Sequence, residues 1–404
     1  MVFSVAQQFA AAGPAGARGR GPARLNLRFL LVLVVFGATA RIASADGAIE
    51  TEALTAQGVA GEILDTALEH CQRGERAQAL SMFQAIRSQL QPPAAILRLI
   101  EGLEATGCVA QAPPRGGSLR IQAGGGWDTN VSQGITSRSL VLGSGDNTLE
   151  LELDESYRPR SSAFAQVSAD YTLALPASGL SFQAAAGHRK NEREPAFDLT
   201  TLSGSVGQEF TLAGQRLRGQ LELGEIWLGK RHYQRTQGAA LQWVMPAERG
   251  AWLATASVAR LDYLTQPAQD AVQYEAGLLR ELRINAAATV HGGLSVLKDD
   301  ASSTRPGGDR TGFQVQAGAL LLGFGWRFKP QLTYTSWDSR QVFAPGLIDV
   351  KRRNRLTYAA LQAEKPLSAR SSLLLEWRGR WSRDTVALYR YKAQTFSATL
   401  AHRF

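Results

Sequence analysis

Little in this sequence can hold a metal or carry out covalent chemistry. Its two cysteines, Cys71 and Cys108, and five histidines, His70, His188, His232, His291 and His402, lack the spacing of a metal site. No motif sets a nucleophile beside a base, so an enzyme is not expected. No cofactor motif is present either. Beyond residue 40 no apolar run is long enough for a membrane helix, which needs about 20 residues. Acidic residues are missing from positions 1–45, which carry Arg18, Arg20, Arg24, Arg28 and Arg41. Much of the formal net charge of +9 therefore sits there, and beyond residue 45 the basic surplus is four. That leaves no case for nucleic acid as a partner.

The acid-free start has its own reading. Arginines precede "FLLVLVVFGATA" (29–40), and small residues follow at Ala43 and Ala45. A basic stretch, a short apolar run and an A-x-A site predict a secretory signal over 1–45, cleaved after Ala45. Export puts Cys71 and Cys108 in an oxidising compartment, where they either bond to each other or stay as two buried thiols.

Residues 46–108 are helical in pattern. Ile63, Leu64, Ala67 and Leu68, then Ala79, Leu80, Met82, Phe83 and Ile86, fall at helical spacing around Gly74. The spacing of Gly74, Ala79 and Phe83 is like a single tetratricopeptide unit. "VAQAPPRGG" (109–117) reads as a linker.

From residue 118 the period changes to two. Ala165, Val167, Ala169, Tyr171, Leu173 and Leu175 alternate with Gln166, Ser168, Asp170 and Thr172. Leu217, Leu221 and Leu223 alternate with Arg216, Arg218 and Glu222, and Leu373, Leu375, Trp377 and Trp381 with Glu376, Arg378 and Arg380. Charges in mid-strand would be costly in a packed core, whereas a water-filled lumen solvates them. Short turns are expected at 176–179, 213–215, 246–250, 285–288, 323–325 and 367–371. Longer tips are expected at 127–161, 189–197, 229–232, 265–271, 298–310, 340–353 and 384–388.

This alternation of turn and tip predicts an all-β transmembrane barrel of about 14 antiparallel strands over 118–404, preceded by a small helical periplasmic domain. Outer-membrane lipid is then a partner, and the cell outer membrane of a Gram-negative bacterium the location. Trp243, Trp252, Tyr171, Trp377 and Trp381 are candidates for the interface girdle. The six charges Arg216, Arg218, Glu222, Glu376, Arg378 and Arg380 are candidates to line a path. The acidic stretch 146–156 reads as a solvated loop. The final run, with Phe396, Ala398, Leu400, His402 and Phe404 on one face, is expected to close the barrel against the first strand near Leu119–Trp127. His402 is out of place in that lipid-side row.

One stretch is more specific. "GGGWDTNVSQG" (124–134) stands where the first strand meets the longest tip, and its Gly126, Trp127, Asp128, Asn130 and Val131 resemble the surface lipoprotein assembly modifier family. The resemblance covers the barrel and implies help in exporting or displaying a client lipoprotein or a secreted haemophore-like protein. The likeness of the closing strand to those of outer-membrane proteins implies that Phe404 is an assembly signal read by the barrel assembly machinery. The short helical region departs from the long repeat array of that family. The alternatives are a passive porin for small solutes and a polysaccharide-export barrel.

Overall fold

The computed structural model describes residues 117–404 except 145–146, 176–177, 213, 286, 302–304 and 369, together with helix α1 (Arg76–Gln89) and parts of 64–71 and 97–104. The leader 1–45, Gly74, Cys108 and most of the linker lie outside the described residues. The chain divides between Arg115 and Gly116 into two compact units.

In the first unit, α1 presents Ala79, Phe83 and Ile86 on one face, all fully buried. These positions are four and three residues apart, the spacing that brings side chains to one side of a helix. They pack with Leu64, Ala67, Cys71 and Ile100. Cys71 is disulfide-bonded. Arg87 pairs with Glu104 at 2.7 Å.

Among the described residues the second unit holds sixteen strands, of which fourteen form one closed barrel. They are β1 (Gly117–Asp128), β4 (Ser162–Leu175), β5 (Leu180–Asn191), β6 (Leu199–Leu212), β7 (Gln215–Leu228), β8 (Arg231–Ala247), β9 (Gly250–Tyr263) and β10 (Ala271–Asn285). The circuit continues through β11 (Ala288–Ala301), β12 (Arg310–Gly323), β13 (Trp326–Ala344), β14 (Ile348–Pro366), β15 (Ser371–Asp384) and β16 (Tyr391–Arg403). The remaining two, β2 (Ser139–Ser144) and β3 (Asn147–Glu152), make a separate hairpin within the first loop. Each barrel strand pairs antiparallel with its sequence neighbour, and β1 closes on β16 from Arg120↔Arg403 to Asp128↔Thr395. Beyond this register the Phe404 amide donates to the Leu119 carbonyl at 2.9 Å.

Alternation decides which side chain meets lipid. Leu221 and Leu223 are 64% and 63% exposed on the outside of β7, while Ile226 on the opposite face is buried. Leu361 on β14, Leu375 on β15 and Phe396 and Leu400 on β16 continue the exposed apolar belt. An apolar belt around a closed ladder is the arrangement lipid requires, because closure leaves no strand edge with unpaired backbone groups. His402 is accommodated at the belt's lower edge by a hydrogen bond with Ser371 Oγ (2.9 Å) and an edge contact with Phe404 (4.6 Å between ring centres).

All six short connections fall at one end and all seven tips at the other. Two of the tips are shorter than the sequence suggests. The expected tip 229–232 is the two-residue turn 229–230, because Gly229 adopts a left-handed φ of 58° and lets Leu228 pair with Arg231. The expected tip 340–353 is mostly strand. β13 and β14 are 19 residues each and pair as far as Ala344↔Ile348, absorbing register shifts after Asp338. Two other tips share a device. "PAFD" (195–198) and "PAQD" (267–270) each form a short 3-10 turn, after which Asp198 or Asp270 accepts the backbone N–H of the preceding strand's last residue, Asn191 (2.7 Å) or Tyr263 (2.6 Å).

The seam between β1 and β16 is tight. A Cβ added to Gly126 would lie 2.0 Å from the Phe396 carbonyl oxygen and 2.7 Å from the Phe164 ring, whereas one on Gly323 meets nothing within 4 Å. Gly126→Ala should therefore lower unfolding stability by about 1–3 kcal/mol through overpacking. Gly323→Ala should leave it within about 0.5 kcal/mol. Urea unfolding of the refolded barrel in lipid checks both.

Candidate functional site: a cationic chamber under the first loop

The last residue of β1 organises the mouth of the barrel. Asp128 falls on the inward parity, and its carboxylate accepts the Asn130 amide (2.9 Å), the Thr395 hydroxyl of β16 (3.1 Å) and the Arg189 guanidinium of β5 (3.0 Å). Arg189 also stacks over the Phe164 ring of β4, 3.8 Å from its centre. One aspartate thus ties together β1, β16 and β5.

Asn130, fully buried, continues the tie into the loop. Its Nδ2 donates to the Gly134 carbonyl (3.0 Å) and, across the seam, to the Lys392 carbonyl (2.9 Å), while its Oδ1 accepts the Gly134 amide (2.7 Å). Side-chain hydrogen bonds of this kind let Asn and Asp substitute for backbone pairing in a turn. Gly134 is required there, since a Cβ would lie 2.2 Å from the Arg158 carbonyl oxygen. Val131 and Ile135 then bond the backbone of Arg160 and Tyr157, and Thr136 that of Arg390. Ile135 is buried beneath these contacts. After β3, Asp154 caps the short 3-10 turn Glu155–Tyr157 by accepting the Ser156 amide at 2.8 Å, a bond that holds its carboxyl below the usual carboxylate range.

This roof covers a cavity of about 610 Å³ inside the barrel. Among the described residues six cationic side chains line it, Arg160, Arg189, Lys230, Arg231, Arg378 and Arg380, against two carboxylates, Asp128 and Glu376. Some of that charge is offset locally. Arg378 pairs with Glu376 at 2.6 Å, and Arg160 with Glu194 at 3.0 Å. Phe164, Phe197, Tyr157 and Tyr233 supply apolar wall between the charges.

The charges singled out from sequence divide into two groups. Glu376, Arg378 and Arg380 lie on β15 and line the chamber together with Asp128, Asn130 and Val131. Arg216, Arg218 and Glu222 occupy the inward parity of β7 but do not line it; Arg216 and Arg218 lie toward the short-turn end, where Arg218 reaches Ser181 Oγ at 3.4 Å. Trp127 faces outward, 40% exposed, as the Cα partner of Phe396. Arg160 and Arg189 fall within the expected tips 127–161 and 189–197, but β5 runs on to Asn191 and takes in Arg189; neither they nor Phe164 stand out in the sequence alone. Arg189 had a usable signal, its inward parity on β5, but its meeting with Asp128 depends on closure of the barrel.

A second cluster fastens the mouth on another side. Asp299 on β11, fully buried, pairs with Arg305 of the following loop (2.7 Å) and with Arg310 of β12. Asp384 at the end of β15 likewise pairs with Arg352 (2.8 Å), which stacks over Tyr389. Among the described residues no group of three His, Cys, Asp or Glu side chains is placed to hold a metal ion.

No family model matches the chain, and no curated protein matches its sequence. Similar solved structures include an outer-membrane channel from Pseudomonas putida F1, at 10% identity and a TM-score of 0.37, covering 72% of this chain and 97% of that one. A FadL homologue from Pseudomonas aeruginosa matches at 10% identity and 0.38, over 71% and 89% of the two chains. An anion-selective porin from Comamonas acidovorans matches at 10% and 0.37, over 72% and 99%. The likeness is one of barrel shape and goes no further.

Asp128→Ala should release the roof. Losing a charge-assisted hydrogen bond of this type costs about 1.5–3 kcal/mol, enough to raise local opening by about tenfold or more. Limited trypsin digestion of the refolded protein should cleave at Arg138 or Arg158 correspondingly faster, with the barrel strands still protected.

Proposed function

We propose that the barrel is a passage across the outer membrane for small anionic solutes. The observation that carries this reading is the excess of guanidinium and ammonium groups over carboxylates around the 610 Å³ chamber. Charges of one sign in a cleft with low-dielectric walls focus the field and raise the local concentration of counter-ions. Arg189 on β5 and Arg378 and Arg380 on β15 present guanidinium groups to the same space. A guanidinium offers paired donors matched to a carboxylate or phosphate. The aromatic wall gives the organic part of such a solute an apolar surface to slide along.

Export of a client protein draws its support from the sequence pattern at 126–131. In the fold, Asp128 and Asn130 direct their hydrogen bonds to the chain's own loop and to β16, which accounts for the pattern as a device for closing the mouth. The charge distribution of the chamber favours the solute passage.

Planar-bilayer recording of the refolded protein in a potassium chloride gradient tests this. The expected reversal potential is that of an anion-preferring pore, and the double variant Arg378→Gln, Arg380→Gln should lower the chloride-to-potassium permeability ratio several-fold. A cation-preferring wild type, or a ratio unchanged in the variant, would overturn the reading.

A further inference from the structure

The outer surface near the long-loop end carries a charge pattern that solute passage does not use. Arg355 on β14 and Arg383 on β15 are Cα partners, and both side chains are exposed. Lys392 on β16, the Cα partner of Trp381, is exposed beside them. All three share the outward parity of Leu361, Leu375 and Phe396 on the same strands. Like charges directly opposite each other on one face of an antiparallel pair repel. Among the described residues none of the three side chains has an ion-pair partner. The Asp338 carboxylate on neighbouring β13 is engaged by Arg353, at 3.4 Å.

What lies next to these cations indicates what they meet. One step along β15 from Arg383 is Trp381, whose ring lies 6.2 Å from that of Trp377. Trp377, Phe396 and Trp127 are Cα partners in turn across β15, β16 and β1, an outward aromatic row that borders the apolar belt. Aromatic residues of this kind settle at the level where acyl chains give way to headgroups. In an outer-membrane barrel the short turns face the periplasm, so this end of the belt lies in the outer leaflet.

We propose that Arg355, Arg383 and Lys392 form a binding site for the phosphorylated headgroup of an outer-leaflet lipid, whose acyl chains lie along Trp381, Trp377 and Phe396. A phosphate between the two guanidinium groups turns their repulsion into paired, charge-assisted hydrogen bonds. The site also holds lipid against the strands that close the barrel.

The test uses the full chain, refolded in detergent and incubated with diphosphoryl lipid A, with retained lipid read by native mass spectrometry. Wild type should retain it, and Arg355→Gln, Arg383→Gln should retain about tenfold less, the size expected for losing a charge-assisted hydrogen bond. Arg260→Gln, on the outer face of β9 where Arg260 already pairs with Asp262 at 2.9 Å, should retain as much as wild type. Heat-modifiable gel migration confirms folding of each variant, and Lys392→Gln provides a second, milder lesion with a smaller loss. Equal retention by wild type and the double variant would overturn the proposal. So would equal retention of lipid A stripped of its phosphates, or binding of inorganic phosphate without retention of the lipid.

Discussion

The ladder between β1 and β16 is the constraint on which the rest of this barrel depends. Two strands from opposite ends of the barrel sequence pair over Arg120↔Arg403 to Asp128↔Thr395. In hydrocarbon an unpaired backbone group costs several kcal/mol, so a sheet exposed to lipid is stable there only when it is closed. Closure leaves each strand one face toward lipid and one toward the lumen, and the period-two sequence divides its residues accordingly. It also explains the glycines at the seam. Gly124 and Gly126 stand where a Cβ would strike the carbonyl oxygens of Ala398 and Phe396.

At the long-loop end the protein uses aspartate repeatedly to fasten chain to barrel. Asp128, Asp299 and Asp384 each grip an arginine from a different strand or loop, while Asp198 and Asp270 cap the ends of the strands before them. These carboxylates are consumed by the architecture. Among the described residues the chamber beneath the roof is lined by more guanidinium and ammonium groups than carboxylates, and one of those carboxylates, Asp128, also fastens the roof. On the outside, the same end of the barrel bears Arg355, Arg383 and Lys392, none of them in an ion pair among the described residues.

Most of the barrel could be read from sequence because its physical rule is local. Polar and apolar residues alternate for a dozen positions and then stop at a turn, and both the fourteen strands and their connections follow from that. The two exceptions are instructive. At 340–353 polar residues suggest a loop, but strands that extend beyond lipid need no apolar face, so β13 and β14 continue through them. At 229–230 one left-handed glycine compresses an expected tip into a turn. The chamber was only half legible. The inward parity of Glu376, Arg378 and Arg380 is visible in the chain, but the approach of Arg189 to Asp128, or of Arg355 to Arg383, is a matter of register between strands. Similarly, His402 breaks the apolar row in sequence, and its partners Ser371 and Phe404 account for it only in the fold.

The division of each strand between lipid and water is the claim everything else inherits, and β16 offers the most direct measurement of it. Spin labels placed singly at residues 395 to 400 of the reconstituted protein would report their accessibility to oxygen, which partitions into lipid, and to a water-soluble nickel complex. Strict alternation is expected, with labels at Thr395 and Ser397 reached by nickel and those at Phe396, Ala398 and Leu400 by oxygen. Accessibility that does not alternate along the strand, or that places Ser397 in lipid, would contradict it.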